Sequence, residues 1–310
     1  MQAMRNQKPA YAAAIGANFI FGSSFASIKF LTPGYLPPLA LNGIRVLTSI
    51  VLFWLLYLFF KPKVALDRKD LPRFLACAIT GIAINQVFFV KGLSLTSAIH
   101  SSLLSLATPI FITIVAAIVL KEGFTRFKAL GLLSGVSGAT LLVLSKDLSQ
   151  TGTQVWLGDL LILINAISYA VYLVLVRPLM EKYAPIQVLR WVFTFGAFFI
   201  LPLAWTDLGQ TDWTRFDAVE WTALAWVAVG ATFGAYLLTV YSVSLIGSAQ
   251  YGAFIYTQPV FAAIVAMLFA GETYSWTKAL AAGLIFMGVW LVNKKQAATD
   301  RAPILVAEKK

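Results

Sequence analysis

The chain is a succession of long apolar runs separated by short polar breaks, and the runs set its architecture. Ten are about 20 residues long, the length that spans a bilayer core as a helix: roughly 11–31, 39–60, 73–92, 98–120, 126–145, 156–177, 187–206, 218–242, 247–270 and 277–293. No stretch between them is long enough to fold as a soluble domain. Between Glu220 and residue 270 no charge occurs at all. As one helix this stretch would measure about 75 Å at 1.5 Å per residue, well beyond the hydrocarbon core of about 30 Å. It must break, and "SVSLIGSAQ" at 242–250 supplies the small polar residues for a turn.

The pattern also repeats. Residues 92–146 align without a gap against 242–296, at a constant shift of 150 positions. Matched pairs include Ser94 and Leu95 with Ser244 and Leu245, Phe111 with Phe261, the "KAL" at 128–130 with that at 278–280, and Gly138 with Gly288. The strongest anchors are "TPIFITIVAAIVLKE" at 108–122 and "QPVFAAIVAMLFAGE" at 258–272, each with proline second and glutamate last. Apolar residues match by chance, so the weight rests on the shared Pro, Glu and Lys-Ala-Leu.

A duplication of five spans places the second copy in the bilayer upside down relative to the first. The expected fold is an all-α integral membrane protein of ten transmembrane helices, built as two inverted-topology five-helix repeats at 11–146 and 156–295. Residues 1–10 and the polar tail at 296–310, expected to be disordered, lie outside them. Inverted repeats are a transporter architecture, with the solute site near the midplane and alternating access by rocking of one repeat on the other.

Composition agrees with a membrane protein: 59% of the 310 residues are hydrophobic and 12% charged, about half the charged share of soluble domains. The net charge of +11 reflects orientation rather than nucleic-acid binding. With both termini in the cytoplasm, Lys29, Lys91, Lys146, Arg215 and Lys278 fall on the outer side and Arg45 within the second span, leaving 18 of the 24 Lys and Arg on inner loops and tails. That is the positive-inside pattern, and it predicts a multi-pass protein of the cell inner membrane. Apolar character continues past any plausible cleavage point to Leu31, so the first run is expected to be an uncleaved span. Cys77 is the single cysteine, which excludes an internal disulfide.

Pro109 and Pro259 fall at the centres of the fourth and ninth spans, where a proline removes a backbone donor. They are expected to act as helix kinks flanking a central cavity, with Thr108 and Thr257 helping to satisfy the freed carbonyls; the competing reading is that they only shape packing. Polar side chains within a span are costly and face protein or a water-filled cavity. Helical spacing puts Asn18, Gly22, Phe25 and Lys29 on one stripe, Gly81, Asn85 and Phe88 on another, and Ser97, Ser101, Ser105 and Thr108 on a third. The second half offers Asn165, Tyr169 and Tyr172, then Thr232, Tyr236 and Thr239, then Tyr251 with Gln258. Of these, Asn18, Phe25, Asn85, Phe88, Ser101, Ser105, Asn165, Tyr169, Tyr172, Tyr236, Tyr251 and Gln258 are the candidate cavity residues, together with Arg45. Small hydroxyls in one half and tyrosines in the other suit an amphipathic organic solute.

Arg45 is the most expensive residue, at about 2.5 to 3.5 kcal/mol if at a helix centre. It attracts an anionic group such as a carboxylate, pairs with Asp159, or snorkels outward. Glu122 and Glu272 read as helix-terminal caps. No acidic residue lies at mid-bilayer, so no acidic proton relay is visible, and His100 is a weak substitute. "GLLSGVSGA" at 131–139 presents a close-packing glycine face suited to the tenth span or to another subunit.

These features resemble the EamA transporters of the drug/metabolite transporter superfamily. The resemblance rests on "NFIFGSSFASIKF", "PPLALNGIRVL", "FFVKGLSLTSA", the Pro-to-Glu stretch and its repetition, and it covers about residues 11 to 293. One departure is that the aromatic-Gly signature of the first span, often Trp-Gly in the family, is Phe21-Gly22. The resemblance implies a ten-helix inner-membrane carrier, with a cavity formed by spans 1, 3, 4, 6, 8 and 9, exporting amino acids, related metabolites or toxic compounds.

The leading expectation is thus a non-enzymatic exporter of small organic metabolites such as amino acids or aromatic compounds, working as a monomer or homodimer in the lipid bilayer, with no nucleic-acid partner, cofactor or metal. One alternative is an exchanger of phosphorylated or nucleotide-linked solutes, which would want more cations at mid-depth than Arg45. Another is a membrane-embedded transferase acting on lipid precursors. The acidic loop "TDLGQTDWTRFDAVE" lacks the metal-ligand spacing this would need. No Gly-x-x-x-x-Gly-Lys-Ser/Thr loop is present to drive nucleotide-powered pumping.

Overall fold

The computed structural model of the protein describes residues 8–60, 64–119, 126–144, 154–269 and 275–293. Glu122, Glu272, Lys146, the tail at 296–310 and most of the amino-terminal segment lie outside them. Every regular element among the described residues is helical. The helices are α1 Lys8–Leu31, α2 Pro38–Phe59, α3 Leu71–Ala78, α4 Asn85–Leu95, α5 Ala98–Ser105, α6 Thr108–Val119 and α7 Arg126–Leu144. They continue with α8 Val155–Lys182, α9 Pro185–Gly209, α10 Ala218–Ala225, α11 Ala235–Phe254, α12 Gln258–Phe269 and α13 Trp276–Asn293. Local chemistry starts several of them. Prolines at the first turn open α2 and α9, where a missing N–H costs nothing. The Ser97 hydroxyl accepts from the His100 N–H at 3.1 Å to cap α5, and Asp217 with Glu220 forms a capping box on α10.

Seven helical stretches among the described residues are long and apolar enough to cross a membrane, and their outward faces are what lipid requires. Phe198, Leu268, Phe269 and Trp205 are 73%, 72%, 82% and 76% exposed, side chains that a water-soluble fold would bury. The chain is a multi-pass membrane protein. Its first helix is already formed at Lys8, ahead of the expected start at residue 11. The uncharged stretch after Glu220 bends where the sequence demanded a break: Gly247 adopts φ 79° inside α11, a left-handed conformation that glycine reaches without steric cost.

Two short segments join broken helices through wide i→i+5 turns: Ile79–Ile84 between α3 and α4, and Trp226–Gly234 between α10 and α11. Such π turns arise where side chains enter the backbone ladder and cluster at functional sites. At Ile79–Ile84 the intruders are identifiable, since the Ser168 hydroxyl donates to the Thr80 carbonyl at 2.7 Å and the Tyr236 hydroxyl to that of Gly81 at 3.1 Å.

Helix packing is reciprocal between the halves. α1 packs on α11 and α12, while α8 packs on α4 and α6; α2 pairs with α9, and α7 with α13. Glycines set the last contact, because a Cβ on Gly288 would meet the Gly131 carbonyl oxygen at 2.5 Å and the Gly135 nitrogen at 2.6 Å. The Ser134 hydroxyl also donates to the Leu284 carbonyl at 2.8 Å, across a separation of 150 residues. The glycine face of 131–139 therefore meets α13.

Neither key proline kinks a continuous helix. The chain tightens one turn earlier, with Leu106 and Ala107 N–H groups donating to the carbonyls of Leu103 and Leu104 at 3.1 and 3.0 Å, and with a 3₁₀ turn at Ile255–Thr257. Pro109 and Pro259 then stand in the first turns of α6 and α12. Proline costs least there because that N–H has no intrahelical partner. The Thr257 hydroxyl bonds the Phe254 carbonyl at 2.7 Å, and Thr108 faces the cavity described below. Alanine at either proline restores an N–H that can run the two half-helices together. Pro109→Ala and Pro259→Ala are expected to express normally and to slow solute uptake into proteoliposomes; normal rates in both would show that packing alone holds the breaks.

At the end of the bundle that holds the C-terminus of α8, Lys182 bridges Asp67 at 3.0 Å and Asp70 at 2.7 Å, and the Tyr183 hydroxyl donates to Asp70 at 2.5 Å. The Lys69 N–H, then Lys182, holds the Asp67 carboxyl below its usual range. The cluster ties the α3 entrance to α8 across the two halves.

Candidate functional site

The breaks converge on one cavity of about 70 Å³. α1 contributes Phe21, Ser24 and Phe25, and α2 contributes Arg45. Asn85 and Phe89 come from α4, Ser105 and Thr108 from the ends of α5 and α6, and Asn165 with Tyr169 from α8. Tyr236 of α11, Ile255 of the 3₁₀ turn and Gln258 of α12 close it. Both halves of the chain therefore line it. It is smaller than the roughly 300 Å³ or more of organic-ligand pockets, and has room for a few waters.

Hydrogen bonds fix its polar walls. The Asn165 amide donates to the Asn85 carbonyl at 2.8 Å, and the Tyr236 hydroxyl to Asn85 Oδ1 at 3.1 Å. The Gln258 amide donates to Asn18 Oδ1 at 2.6 Å, while the Asn18 amide donates to the Ala14 carbonyl at 2.7 Å. The Tyr169 hydroxyl is buried in the same wall.

Arg45 dominates the electrostatics. It is 3% exposed, and its Nε donates to Thr232 Oγ1 at 2.8 Å and its Nη1 to Asn42 Oδ1 at 3.4 Å. Thr232 sits in the wide turn before α11, so that turn aims the guanidinium. No carboxylate pairs with Arg45 among the described residues, and Arg45 is the one charged group of the lining. The expected alternative partner, Asp159, instead lies 2.8 Å from His100.

Of the sequence candidates, Phe25, Arg45, Asn85, Ser105, Asn165, Tyr169, Tyr236 and Gln258 come together around the cavity, four others are buried outside its lining, and Phe88 is not among the lining residues. Asn18 braces Gln258. Ser101 is fully buried and offers its carbonyl to the Ser105 hydroxyl at 2.8 Å. Tyr172 is buried against Gly81, where a Cβ would collide with its ring, and Tyr251 is buried with its hydroxyl 2.7 Å from that of Thr239. Phe88 yields its place to Phe89. Counted from Asn85, which lines the cavity as expected, Phe88 and Phe89 are the i+3 and i+4 positions of one regular helix, and the second of them is the one that reaches the cavity. Phe21, Ser24, Phe89 and Ile255 line the cavity without having been singled out; for the first two, the signal was the "NFIFGSSF" motif itself.

Comparison with known proteins agrees with this architecture. The chain is 26% identical over 302 residues to the uncharacterized transporter YetK of Bacillus subtilis, covering 97% of this chain and 91% of that protein. It is 26% identical over 241 residues to a probable terminal-alkyne amino-acid exporter of Streptantibioticus cattleyicolor, covering 75% and 76%. A protein of known crystal structure superposes with a TM-score of 0.65 over 93% of this chain and 98% of its own, at 18% identity, and so shares the fold. The pattern of the EamA-like transporter family matches residues 8–144 and 156–294. The chain belongs to the EamA-like transporter family.

Proposed function

We propose that this transporter is a secondary carrier exporting small carboxylate-bearing metabolites, amino acids and aromatic acids foremost, by alternating access. The observation that carries the reading is Arg45, a buried cation with no acidic partner among the described residues, facing a cavity lined by both halves. A guanidinium is suited to a carboxylate, which it can hold by two parallel bonds. Phe21, Phe25 and Phe89 offer rings for an apolar body, and Asn85, Asn165 and Gln258 offer carboxamides for an amino group. A single lining cation speaks against doubly charged phosphorylated solutes. The name of the S. cattleyicolor relative points the same way.

The same reading places ten spans in two inverted five-helix repeats, in the inner membrane with both termini cytoplasmic, as a monomer or homodimer. Support comes from the reciprocal packing of α1 and α8, from wide turns at corresponding places before α4 and α11, and from two successive family matches. A cavity this small fits a solute-free, narrowed state that widens as the repeats rock.

The test is uptake into proteoliposomes of labelled phenylalanine and its carboxamide, within a wider panel of amino acids and aromatic metabolites. The carboxylate solute is expected to accumulate at least about tenfold faster, the discrimination of roughly 1.4 kcal/mol that a charge-assisted hydrogen bond readily supplies. Equal rates for phenylalanine and its carboxamide would refute carboxylate recognition; turnover of a lipid precursor with no uptake would replace the carrier by an enzyme.

A further inference from the structure

A second buried cation lies outside the cavity, at the end of the bundle that holds the C-terminus of α8. Arg190 of α9 is 5% exposed. Its guanidinium carbon stands 3.6 Å from the Tyr57 ring centre, 4.5 Å from that of Trp54 and 5.1 Å from that of Trp191. Such rings hold a guanidinium by cation–π attraction and supply no counter-charge. Arg190 Nε is buried with no acceptor among the described residues, and so is the Trp191 indole N–H. One turn earlier, Gln187 Oε1 is buried without a donor. The carboxylates of this end are engaged elsewhere: Asp67 and Asp70 are bridged by Lys182 at 3.0 and 2.7 Å, and Glu181 faces Arg177 at 3.9 Å. Two donors and one acceptor are therefore left open on one face of α9.

This place has the depth of a lipid head group. Arg190 is five residues past Pro185, about 7.5 Å along α9 at 1.5 Å per residue, and Trp54 and Tyr57 stand near the end of α2 as aromatic residues do at a membrane surface. Exposed Arg68, Lys69 and Arg73 add positive charge at the same end. Away from that end, the same face of α9 runs into a shallow apolar groove of about 350 Å³ lined by Ala197, Phe198, Leu201, Pro202 and Trp205. Ala197 and Leu201 follow Arg190 by 7 and 11 positions, and Phe198, Pro202 and Trp205 follow Trp191 by 7, 11 and 14, which keeps them on one stripe. The groove begins about 10 Å along α9 from Arg190, inside the half-thickness of roughly 15 Å that one leaflet's chains fill.

We propose that the α2–α9 face binds one anionic phospholipid, with its phosphate on the Arg190 guanidinium and the Trp191 indole N–H and one acyl chain in the groove at 197–205. A phosphate offers the guanidinium two oxygens for parallel charge-assisted bonds, and it supplies the counter-charge whose absence makes a buried cation costly. Gln187 Oε1 is placed to accept from a head-group hydroxyl such as that of glycerol. Trp54 is the cover: it is 37% exposed and its indole N–H donates to Thr194 Oγ1 at 3.1 Å, so a swing of this one side chain admits the phosphate. Basic pockets between helices at a membrane surface hold lipid head groups in this way. A transported solute fits less well, because Arg190 does not line the central cavity and the groove beside it is wholly apolar.

The test uses no transported solute, so its outcome is independent of the carrier reading. In a neutral detergent, dioctanoyl phosphatidylglycerol is expected to raise the melting temperature of the wild type saturably, as a ligand of the folded state does. Dioctanoyl phosphatidylcholine, whose choline cation opposes the guanidinium, and inorganic phosphate, which has no chain for the groove, are expected to leave it unchanged at the same concentration. Arg190→Gln is expected to need at least about tenfold more phosphatidylglycerol for the same shift, the loss of a charge-assisted hydrogen bond. Leu201→Trp, which fills the groove, is expected to need more as well, whereas Arg68→Gln/Lys69→Gln, which thins the exposed charge of the same end, is expected to match the wild type. An equal response to phosphatidylcholine or to inorganic phosphate, an undiminished response in Arg190→Gln, or a response lost with Arg68 and Lys69 overturns the proposal. Should Arg190→Gln fail to fold, the three ligands on the wild type and the Leu201→Trp variant decide, and an unchanged requirement in Leu201→Trp refutes the site.

Discussion

Arg45→Gln is expected to cut uptake of carboxylate solutes by about 100-fold or more while leaving the protein folded. Removing one partner of a buried charged hydrogen bond costs about 2 to 5 kcal/mol, and each 1.4 kcal/mol is tenfold in affinity. The folded state, by contrast, gains little from Arg45 without a solute. A guanidinium at 3% exposure with two neutral acceptors, Thr232 and Asn42, bears a desolvation cost with no counter-charge to offset it. Glutamine keeps a donor for Thr232 Oγ1 and removes the charge, so thermal stability should hold or rise. Arg45→Lys keeps the charge but not the planar fork, and is expected to fall between the two, near tenfold. Uptake and thermal unfolding of the same preparations separate this role from a structural one, since a scaffolding arginine would lower the melting temperature and spare the solute rate.

The long helices were open to sequence reading because they answer to a local quantity, about 20 apolar residues in a row, and the polar stripes of α1 and α8 because 3.6-residue spacing holds along an unbroken helix. The break near Gly247 was readable for the same reason, as chain length alone demanded it. What escaped was set by contacts across the fold. The wide turn at Ile79–Ile84 depends on hydroxyls from Ser168 and Tyr236, 88 and 155 positions away from the carbonyls they take, and nothing in "ITGIAI" announces it. The choice of Phe89 over Phe88 escaped for a different reason, since both lie within a turn of Asn85 and spacing alone does not separate i+3 from i+4. The prolines were visible, but the place of the break one turn ahead of them was not, because a proline looks alike in the middle of a helix and at the head of one. His100 and Asp159 were each conspicuous. Their pairing, and hence the separation of Arg45 from Asp159, follows only when α5 lies on α8.

The second large effect is expected at Gly22, where the cavity depends on how closely two backbones approach. A Cβ on Gly22 would meet the Gln258 carbonyl oxygen at 2.7 Å and the Phe261 Cβ at 2.8 Å. One of these is backbone and the other is fixed to it, so no rotamer change can relieve the contact, and α12 must shift away from α1. Its first turn carries Gln258, whose amide is held at 2.6 Å by Asn18 of α1; a displacement of a few tenths of an ångström weakens that bond and moves the wall beside Ile255. Gly22→Ala is therefore expected to destabilise the protein by about 1 to 3 kcal/mol, the usual result of overpacking, and to reduce uptake by more than about tenfold, since sub-ångström misplacement of binding groups is costly. Gly283→Ala is the matched comparison. It adds the same methyl to α13 with no atom within 4 Å, and should leave both quantities unchanged. The departure of this chain from the Trp-Gly signature strengthens the point: the aromatic position accepts Phe21 because a ring edge on the cavity can vary, whereas the next position must admit a neighbouring backbone. Equal thermal stability and equal uptake in Gly22→Ala and wild type would mean that α1 and α12 lie farther apart than the contact requires, and that Gln258 is not seated by Asn18.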